Sequence, residues 1–218
     1  MAGVAPVTLR PGVTVVVPFH PARELNGMLE RAAASVRAQT YPTELVLARD
    51  VHAKGAALTR HCGLLEVTTQ WTAFLDSDDT MDPDHIEALV ACASETGADY
   101  VYPWFRVVGG TDPFPMFFGR PWDDDAPHQT TVTVLVRTGL AQQVGFADVP
   151  EDSPRAPDGN RGGEDWGFTL GCVAAGAQIV HLPKRSWTWV HGPHNSSGMP
   201  GRGDAGPQPV RRRAQRRR

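Results

Sequence analysis

The sequence predicts an α/β fold, a three-layer sandwich in which helices cover both faces of a mostly parallel central sheet. Two observations predict it. Short runs of β-branched and apolar residues alternate with longer segments in which apolar residues recur every three to four positions, and this strand–helix unit occurs three times before residue 97. The chain has 218 residues, 41% hydrophobic and 21% charged, which is typical of one globular domain with a core.

The first half of the chain contains these three units. Residues 13–17 are a nearly continuous β-branched run, which is typical of a central strand covered on both faces. Pro18 ends this strand, and the apolar stripe that follows predicts an amphipathic helix ending near Thr40. The stripe consists of Leu25, Met28, Leu29, Ala32 and Val36. The series continues with a strand at 44–48, a helix at 56–66, a strand at 71–75, and a helix with Ile86, Leu89, Val90 and Ala93 inward.

The second half alternates strands and helices with longer loops. Strands are predicted at 100–105, 130–136 and 178–182, helices at 139–144 and 165–175, and a loop at 150–163. Residues 109–128 are rich in glycine, proline and aromatic residues and contain three consecutive aspartates. A long irregular loop in a compact domain is more often functional than accidental, so we expect a mobile loop on the substrate side here.

The most informative stretch is the apolar strand that ends in Asp76, Ser77, Asp78 and Asp79. Asp76 and Asp78 are two residues apart, so an extended chain points both to one side. In open α/β sheets the ligand crevice lies outside such strand ends, and paired carboxylates suit Mg²⁺ or Mn²⁺. The alternative is a polar loop that caps the next helix.

Three further candidates also have structural alternatives. The pair Glu164 and Asp165 opens a predicted helix, where acids are common without catalysis. His191 and His194 are either metal ligands or ordinary packed or exposed histidines. Arg60, near the start of its helix, either contacts phosphate or only pairs with Glu66 or solvent.

Composition excludes several function classes. The three scattered cysteines form no Cys-x-x-Cys, which argues against a disulfide framework or a thiolate zinc site. There is neither an apolar run of the roughly 20 residues that span a bilayer nor a recognisable signal peptide, so we expect a cytoplasmic protein. Six of the last eight residues are arginine. The tail 201–218 either binds a polyanion such as nucleic acid or is a loose terminus without a specific role.

Four sets of fragments, in this order along the chain, resemble family-2 glycosyltransferases of the GT-A (Rossmann-like) fold. They are 15–20 with 34–42; 58–64; 74–79 with 83–87; and 144–146 with 163–166 and 191–197. The resemblance covers residues 13–197. It implies a GT-A domain over 1–200, with a nucleotide-binding half at about 13–108 and an acceptor and base half at about 109–200.

The resemblance also implies the chemistry: an inverting transfer of a sugar from a nucleotide sugar, most simply a UDP-sugar, with Mn²⁺ or Mg²⁺. The implied donor contacts are Pro18, Phe19, His20, Asp50, Arg60, Asp76 and Ser77, and the implied metal ligands are Asp76, Asp78 and His191. Asp165, paired with Glu164, would be the general base, and an apolar neighbour such as Trp166 would raise its pKa.

The sequence departs from the family in places. The acidic turn usual after the second strand is replaced by residues 48–55, where Asp50 is the one obvious nucleotide contact, and His61 stands where asparagine is frequent. The Gln-x-x-Arg-Arg-Trp signature of processive synthases is absent, which favours a single transfer. The acceptor stays open: a hydroxymethylated base in DNA, a protein, a glycan or a lipid-linked sugar. A non-catalytic polyanion-binding module is the alternative function.

Overall fold

The computed structural model describes residues 9–128, 130–147 and 163–191. The strands are β1 (Arg10–Phe19), β2 (Thr43–Arg49), β3 (Thr69–Phe74), β4 (Thr80–Met81), β5 (Tyr100–Val108), β6 (Leu135–Arg137) and β7 (Ile179–Val190). The helices are α1 (Ala22–Leu25), α2 (Met28–Arg37), α3 (Ala56–Leu65), α4 (His85–Thr96), α5 (Thr138–Val144) and α6 (Glu164–Ala174). No helix in these ranges is long and apolar enough to cross a membrane.

The described strands form one seven-stranded sheet in the order β2-β1-β3-β6-β5-β7-β4. β1 is parallel to β2 and β3, and β5 is parallel to β7. β6 is antiparallel to both β3 and β5, and β4 is antiparallel to β7. The α/β class with a mostly parallel sheet is therefore confirmed, and β6 and β4 run against the other strands, which makes the sheet mixed.

The direction of β6 determines where the strand ends lie. Because β6 is antiparallel to β3 and also to β5, those two strands run in the same direction. β1, β2 and β7 share that direction through their parallel pairings. The carboxyl ends of five strands therefore lie along one edge of the sheet, which we call the carboxyl edge.

β1 shows why the fold has three layers. Val15 and Val17 point into one core with α2 and α4, while Val16 points into the other core with α3, α5 and α6. Alternate residues of a strand point to opposite faces, so a strand covered on both sides requires apolar residues throughout. Val15, Val16 and Val17 are all 0% exposed, as the uninterrupted valine run predicted.

Three predicted elements differ clearly in extent from the observed ones, and one short observed strand was not predicted. The stripe beginning at Leu25 is divided between α1 and α2 because Gly27 adopts a left-handed conformation, with φ of +71°. The strand predicted at 130–136 is reduced to β6, and the one predicted at 178–182 extends to Val190 in β7. The two-residue β4 had no recognisable pattern. The loop predicted at 150–163 falls almost wholly outside the described residues.

Residues 109–128, expected to form a mobile loop, contain a 3₁₀ turn (Pro115–Phe117) and are tied to the sheet. The Asp112 carboxylate accepts hydrogen bonds from the Trp104 indole at 2.8 Å and from the Phe114 amide at 2.9 Å. Farther along, the Gly119 amide donates to Nε2 of His181 at 3.0 Å. These bonds fix the path of the segment as it leaves β5, and its mobility stays a prediction.

Candidate active site

The carboxyl edge brings together residues that are far apart in sequence. β1 ends at Phe19, β3 leads into the turn Asp76–Asp79, β5 ends at Val108 and β7 leads to His191. Within the turn, the Asp79 amide donates to the Asp76 carbonyl at 3.1 Å. Residues 18–20, the acidic turn and His191, which were predicted from separate fragments, therefore lie along a single edge of one sheet.

Arg60, on α3, is the most heavily paired residue of the site. Its side chain is 2% exposed, and its guanidinium lies 2.7 Å from Asp76, 3.1 Å from Glu164 and 3.4 Å from Asp165. The ring of Phe146 lies 5.2 Å from the guanidinium carbon. Burial would lower the pKa of Arg60, but the three carboxylates outweigh it and raise this pKa above its ordinary value. Arg60 thus carries a permanent charge that connects β3 to the start of α6.

The pKa of Asp165 is strongly raised. Burial raises its pKa, the charges of Glu164 and Asp76 raise it further, and Arg60 lowers it, with a result of about 7. The Asp165 side chain is 29% exposed, so another molecule can reach the carboxylate. The direction agrees with the expectation based on Trp166, which is buried, although the charges of Glu164 and Asp76 were not part of that expectation.

Asp78 and Asp79 have different partners. Asp78 forms an ion pair with Arg23 of α1 at 3.1 Å, and its side chain is 14% exposed. Asp79 is 2% exposed and accepts a hydrogen bond from the Val190 amide at 2.8 Å. Burial and the charges of Asp76 and Asp78 hold the pKa of Asp79 well above its usual range. Asp79 therefore connects the acidic turn to the end of β7. In the sequence, this connection is indicated by nothing except the presence of a third aspartate after Asp76 and Asp78.

His191 is buried, at 6% exposure, and its side chain has unused polar atoms. Neither ring nitrogen has a hydrogen-bond partner among the described residues, and the ring meets Trp189 edge-on at 4.6 Å. Its amide donates to the Val108 carbonyl at 2.8 Å. Next to it Gly109 has φ of +83°, and a Cβ built there would lie 2.3 Å from the His191 carbonyl oxygen. The two strand ends can approach this closely because residue 109 is glycine.

A divalent cation suits the chemistry of these donors, since carboxylates and imidazole are ligands that Mn²⁺ accepts. In the described ranges, however, no three His, Cys, Asp or Glu side chains come together as a metal-binding group. Asp76 is paired with Arg60 and Asp78 with Arg23. The ligand set of Asp76, Asp78 and His191 therefore stays a prediction, and His194 lies outside the described residues.

The predicted nucleotide contacts occupy the neighbouring ends of β1 and β2. Pro18 and Phe19 are buried in β1, while His20 is exposed and its Nδ1 accepts from the Ala22 amide at 3.2 Å. The Asp50 carboxylate accepts from the amides of Lys54 at 2.8 Å and Gly55 at 3.0 Å, and these bonds lower its pKa. Asp50 therefore shapes the turn before α3, a structural role that its interpretation as a nucleotide contact did not include. Ser77 is buried in the acidic turn.

Arg23 is the residue of this edge that sequence reasoning missed. A lone arginine in a short helix has no pattern that distinguishes it from a solvated surface charge. Its significance is visible only when the fold brings α1 against the acidic turn.

Comparison with known proteins supports the resemblance seen in the sequence. Residues 45–132, which include Asp50, Arg60 and the acidic turn, match the family model described as glycosyl transferase family 2. Among curated proteins, none matches at a significant level.

Solved structures share the fold at low identity. The chain is similar to residues 1–349 of S. aureus TarS in complex with UDP (TM-score 0.66, 18% identity, 84% of this chain and 61% of that chain). It is also similar to the complex of TarS 1–349 with UDP-GlcNAc (TM-score 0.68, 18% identity, 86% and 60%). A further crystal structure of S. aureus TarS matches with a TM-score of 0.66 and 18% identity, over 84% of this chain and 37% of that chain. The chain thus spans less than two thirds of each of these neighbours.

Proposed function

We propose that this chain is a family-2 glycosyltransferase of the GT-A fold, and that it transfers a sugar from a UDP-sugar to an acceptor hydroxyl with Asp165 as the general base. One observation carries the proposal. The buried Arg60 joins Asp76, at the end of β3, to Glu164 and Asp165, at the start of α6. This arrangement places an acceptor-activating carboxylate next to the strand end where a nucleotide sugar is expected.

UDP is the nucleotide that we favour. TarS, which shares the fold, has been solved with UDP and with UDP-GlcNAc. The donor would lie along Pro18, Phe19, His20 and Asp50, with its diphosphate toward Arg60, Asp76 and Ser77. Residues 13–108 would then be the nucleotide-binding half of the domain and residues 109–200 the acceptor half.

The proposed reaction is a single displacement. The carboxylate of Asp165 takes the proton of the acceptor hydroxyl, and the oxygen forms a bond to the anomeric carbon from the face opposite the leaving group. As this bond forms, the bond from the anomeric carbon to the diphosphate oxygen breaks, so UDP leaves and the configuration inverts. Because the pKa of Asp165 is raised to about 7, the carboxylate is a stronger base than an ordinary aspartate and is still largely ionised slightly above neutral pH.

Arg60 and Glu164 support this step without touching the acceptor proton. The guanidinium of Arg60 bonds to both Glu164 and Asp165 and so restricts where the Asp165 carboxylate can lie. The charge of Glu164 raises the pKa of Asp165, whereas the charge of Arg60 lowers it. We propose that this balance keeps the base ionised and sufficiently basic at the same pH.

A divalent cation, Mn²⁺ or Mg²⁺, belongs to the proposal. Asp76, Asp78 and His191 would hold it. The observation in its favour is that the ring nitrogens of His191 have no hydrogen-bond partner among the described residues. When bound, it would neutralise charge on the departing diphosphate.

The acceptor is proposed more broadly as a molecule with a free hydroxyl. The basic tail 201–218 favours a polyanion, for example DNA with a hydroxymethylated base, but the tail lies outside the described residues. A variant lacking residues 206–218 should lose DNA affinity at low salt if this acceptor is right. Unchanged DNA affinity would instead favour a protein or glycan acceptor.

The experiment that tests the function is nucleotide release from UDP-, GDP- and dTDP-sugars, with Mn²⁺ or with a chelator. We expect Mn²⁺-dependent release from a UDP-sugar, at a rate that Asp78→Ala reduces strongly. Asp84→Asn is the control, because Asp84 is an exposed aspartate paired with Lys184. Absence of both release and nucleotide binding in the wild type would overturn the proposal and favour a non-catalytic polyanion-binding module.

A further inference from the structure

The ion pair between α1 and the acidic turn has no role in the proposed reaction as described so far. Nη2 of Arg23 lies 3.1 Å from Oδ2 of Asp78, and the two side chains are 22% and 14% exposed. The same guanidinium donates through Nη1 to the sulfur of Met28 at 2.8 Å. The guanidinium of Arg23 therefore contacts Asp78, the carboxylate that would bind a divalent cation in the proposed function.

Arg23 is held differently from Arg60, the other arginine of the acidic turn. Arg60 is 2% exposed on a packed helix and bonds to three carboxylates. Arg23 belongs to α1, a four-residue helix with no buried residue, in which Leu25 is 91% exposed. Gly27 separates α1 from α2. Little packing energy opposes a movement of α1, whereas a movement of Arg60 would break a buried ionic cluster.

The position of α1 adds a second observation. The Arg23 amide donates to the carbonyl of His20 at 2.9 Å, so α1 directly continues the turn that follows β1. That turn is expected to border the nucleotide. A guanidinium is well suited to two oxygens of a phosphate, and it is always charged. Arg23 thus reaches the carboxylate of Asp78 and lies on the segment that would border the donor.

We propose that Arg23 is an exchangeable counter-ion: it neutralises Asp78 in the empty site, yields this carboxylate to a divalent cation when the donor binds, and then contacts the donor diphosphate. The inference rests on the proposed function and adds to it a positioning residue. Arg23 competes with the metal before the donor arrives and assists the nucleotide afterwards. Loss of Arg23 should therefore move the affinities for metal and for nucleotide in opposite directions.

The test measures two affinities in Arg23→Gln. The first is for Mn²⁺ alone, from the electron paramagnetic resonance signal of the free ion. We expect binding roughly two- to fivefold tighter than in the wild type, because the competing ion pair, a partly buried one, is gone. The second affinity is for UDP at saturating Mn²⁺, by calorimetry, and we expect binding roughly tenfold weaker, because a charge-assisted contact is lost.

Two further variants serve as controls. Arg49→Gln removes another ion pair near α1, with Glu24 at 3.3 Å, and should change neither affinity if the effect belongs to Asp78. Arg23→Lys keeps the charge and should lie between the wild type and Arg23→Gln in both measurements.

The outcomes separate this inference from the proposed function. Unchanged or weaker Mn²⁺ binding in Arg23→Gln overturns the exchange, even where the wild type binds UDP. Unchanged UDP affinity overturns the contact with the diphosphate. A wild type that binds no UDP speaks against the proposed function, and the Mn²⁺ measurement still decides whether Arg23 competes at Asp78. Circular dichroism and a thermal melt of each variant show that the fold is kept.

Discussion

Arg60 lies 3.4 Å from Asp165, across 105 residues of sequence, and it connects the candidate base to the acidic end of β3. The same guanidinium reaches Asp76 at 2.7 Å. The buried cation therefore holds together two parts of the site that are far apart in sequence. Both the stability of the fold and the acidity of Asp165 should depend on it.

Replacement of Arg60 by alanine should destabilise the fold. The change leaves three carboxylates close together without their cation, and we expect a loss of about 2–4 kcal/mol, somewhat below the range for a wholly buried pair because the carboxylates are partly exposed. Urea unfolding measures the loss. Arg37→Ala, which breaks an exposed pair with Glu30, is the matched control and should change stability by less than about 0.5 kcal/mol. Equal losses in the two variants would contradict the buried-cluster account.

Transfer activity should depend on pH through Asp165. A general base must be deprotonated, so kcat/KM should rise with pH through a pKa near 7 and level off above it. Glu164→Gln removes a charge that raises this pKa, so the acidic limb of the profile should move to lower pH. Two results would show that the acidic limb of the kcat/KM profile does not report the ionisation of Asp165. One is a wild-type limb at the pKa of an ordinary aspartate, and the other is a limb that does not move in Glu164→Gln.

Stability should depend on pH through the same group. The pKa of Asp165 is higher in the folded chain than in an unfolded one, so the folded state binds this proton more tightly. The contribution of Asp165 to stability is therefore present at low pH and is lost as the pH rises toward 7. Asp165→Asn should flatten the change in urea-unfolding free energy between pH 5 and pH 8, whereas Asp84→Asn should not.

Gly109→Ala should disturb the end of β7. A Cβ at this residue would lie 2.3 Å from the His191 carbonyl oxygen, and φ is +83°. We expect a loss of about 2–4 kcal/mol of stability, in which a backbone clash adds to the strain of a positive φ. Gly119→Ala is the control, because its φ is +77° but nothing lies within 4 Å of the added Cβ. The difference in stability between the two variants, measured by thermal unfolding, is the cost of displacing His191. Equal stability would show that residue 109 does not closely contact the His191 carbonyl.

Asp79 should be replaceable by asparagine but not by alanine. The carboxylate accepts a hydrogen bond from the Val190 amide at 2.8 Å, and an amide oxygen can accept the same bond. Burial and two neighbouring carboxylates already disfavour its charge. Asp79→Asn should therefore keep or raise the melting temperature, while Asp79→Ala should lose about 1–3 kcal/mol because it removes the hydrogen bond that the Val190 amide donates to Asp79. Similar losses in both variants would count against this role.

The sequence predicted best where one physical cause dominates. The valine run of β1 requires apolar contacts on both faces, and the stripes of α2, α3 and α4 have one inward side, so these elements were predicted within a few residues. The acidic turn after β3 was recognised because Asp76 and Asp78, two positions apart, directly follow an apolar strand. These signals are local, and the chain alone carries them.

The rest depends on long-range geometry. The three-residue strand β6 lies between β3 and β5 and is antiparallel to both, and this arrangement depends on contacts between distant parts of the chain. The bond from Val190 to Asp79 and the ion pair from Arg23 to Asp78 join residues that are far apart in sequence. No spacing rule within a single sequence identifies such pairs. Arg60 was predicted as a phosphate contact, and its links to Glu164 and Asp165 became visible only in the fold.

The measurement that tests the account most directly compares UDP release and UDP affinity in one variant, Asp165→Asn. If Asp165 is the base, release from the UDP-sugar should fall by at least roughly a hundredfold, while UDP binds with nearly wild-type affinity. Asp84→Asn should match the wild type in both. Release that persists in Asp165→Asn at a near wild-type rate would contradict the central claim and assign the proton transfer to another group.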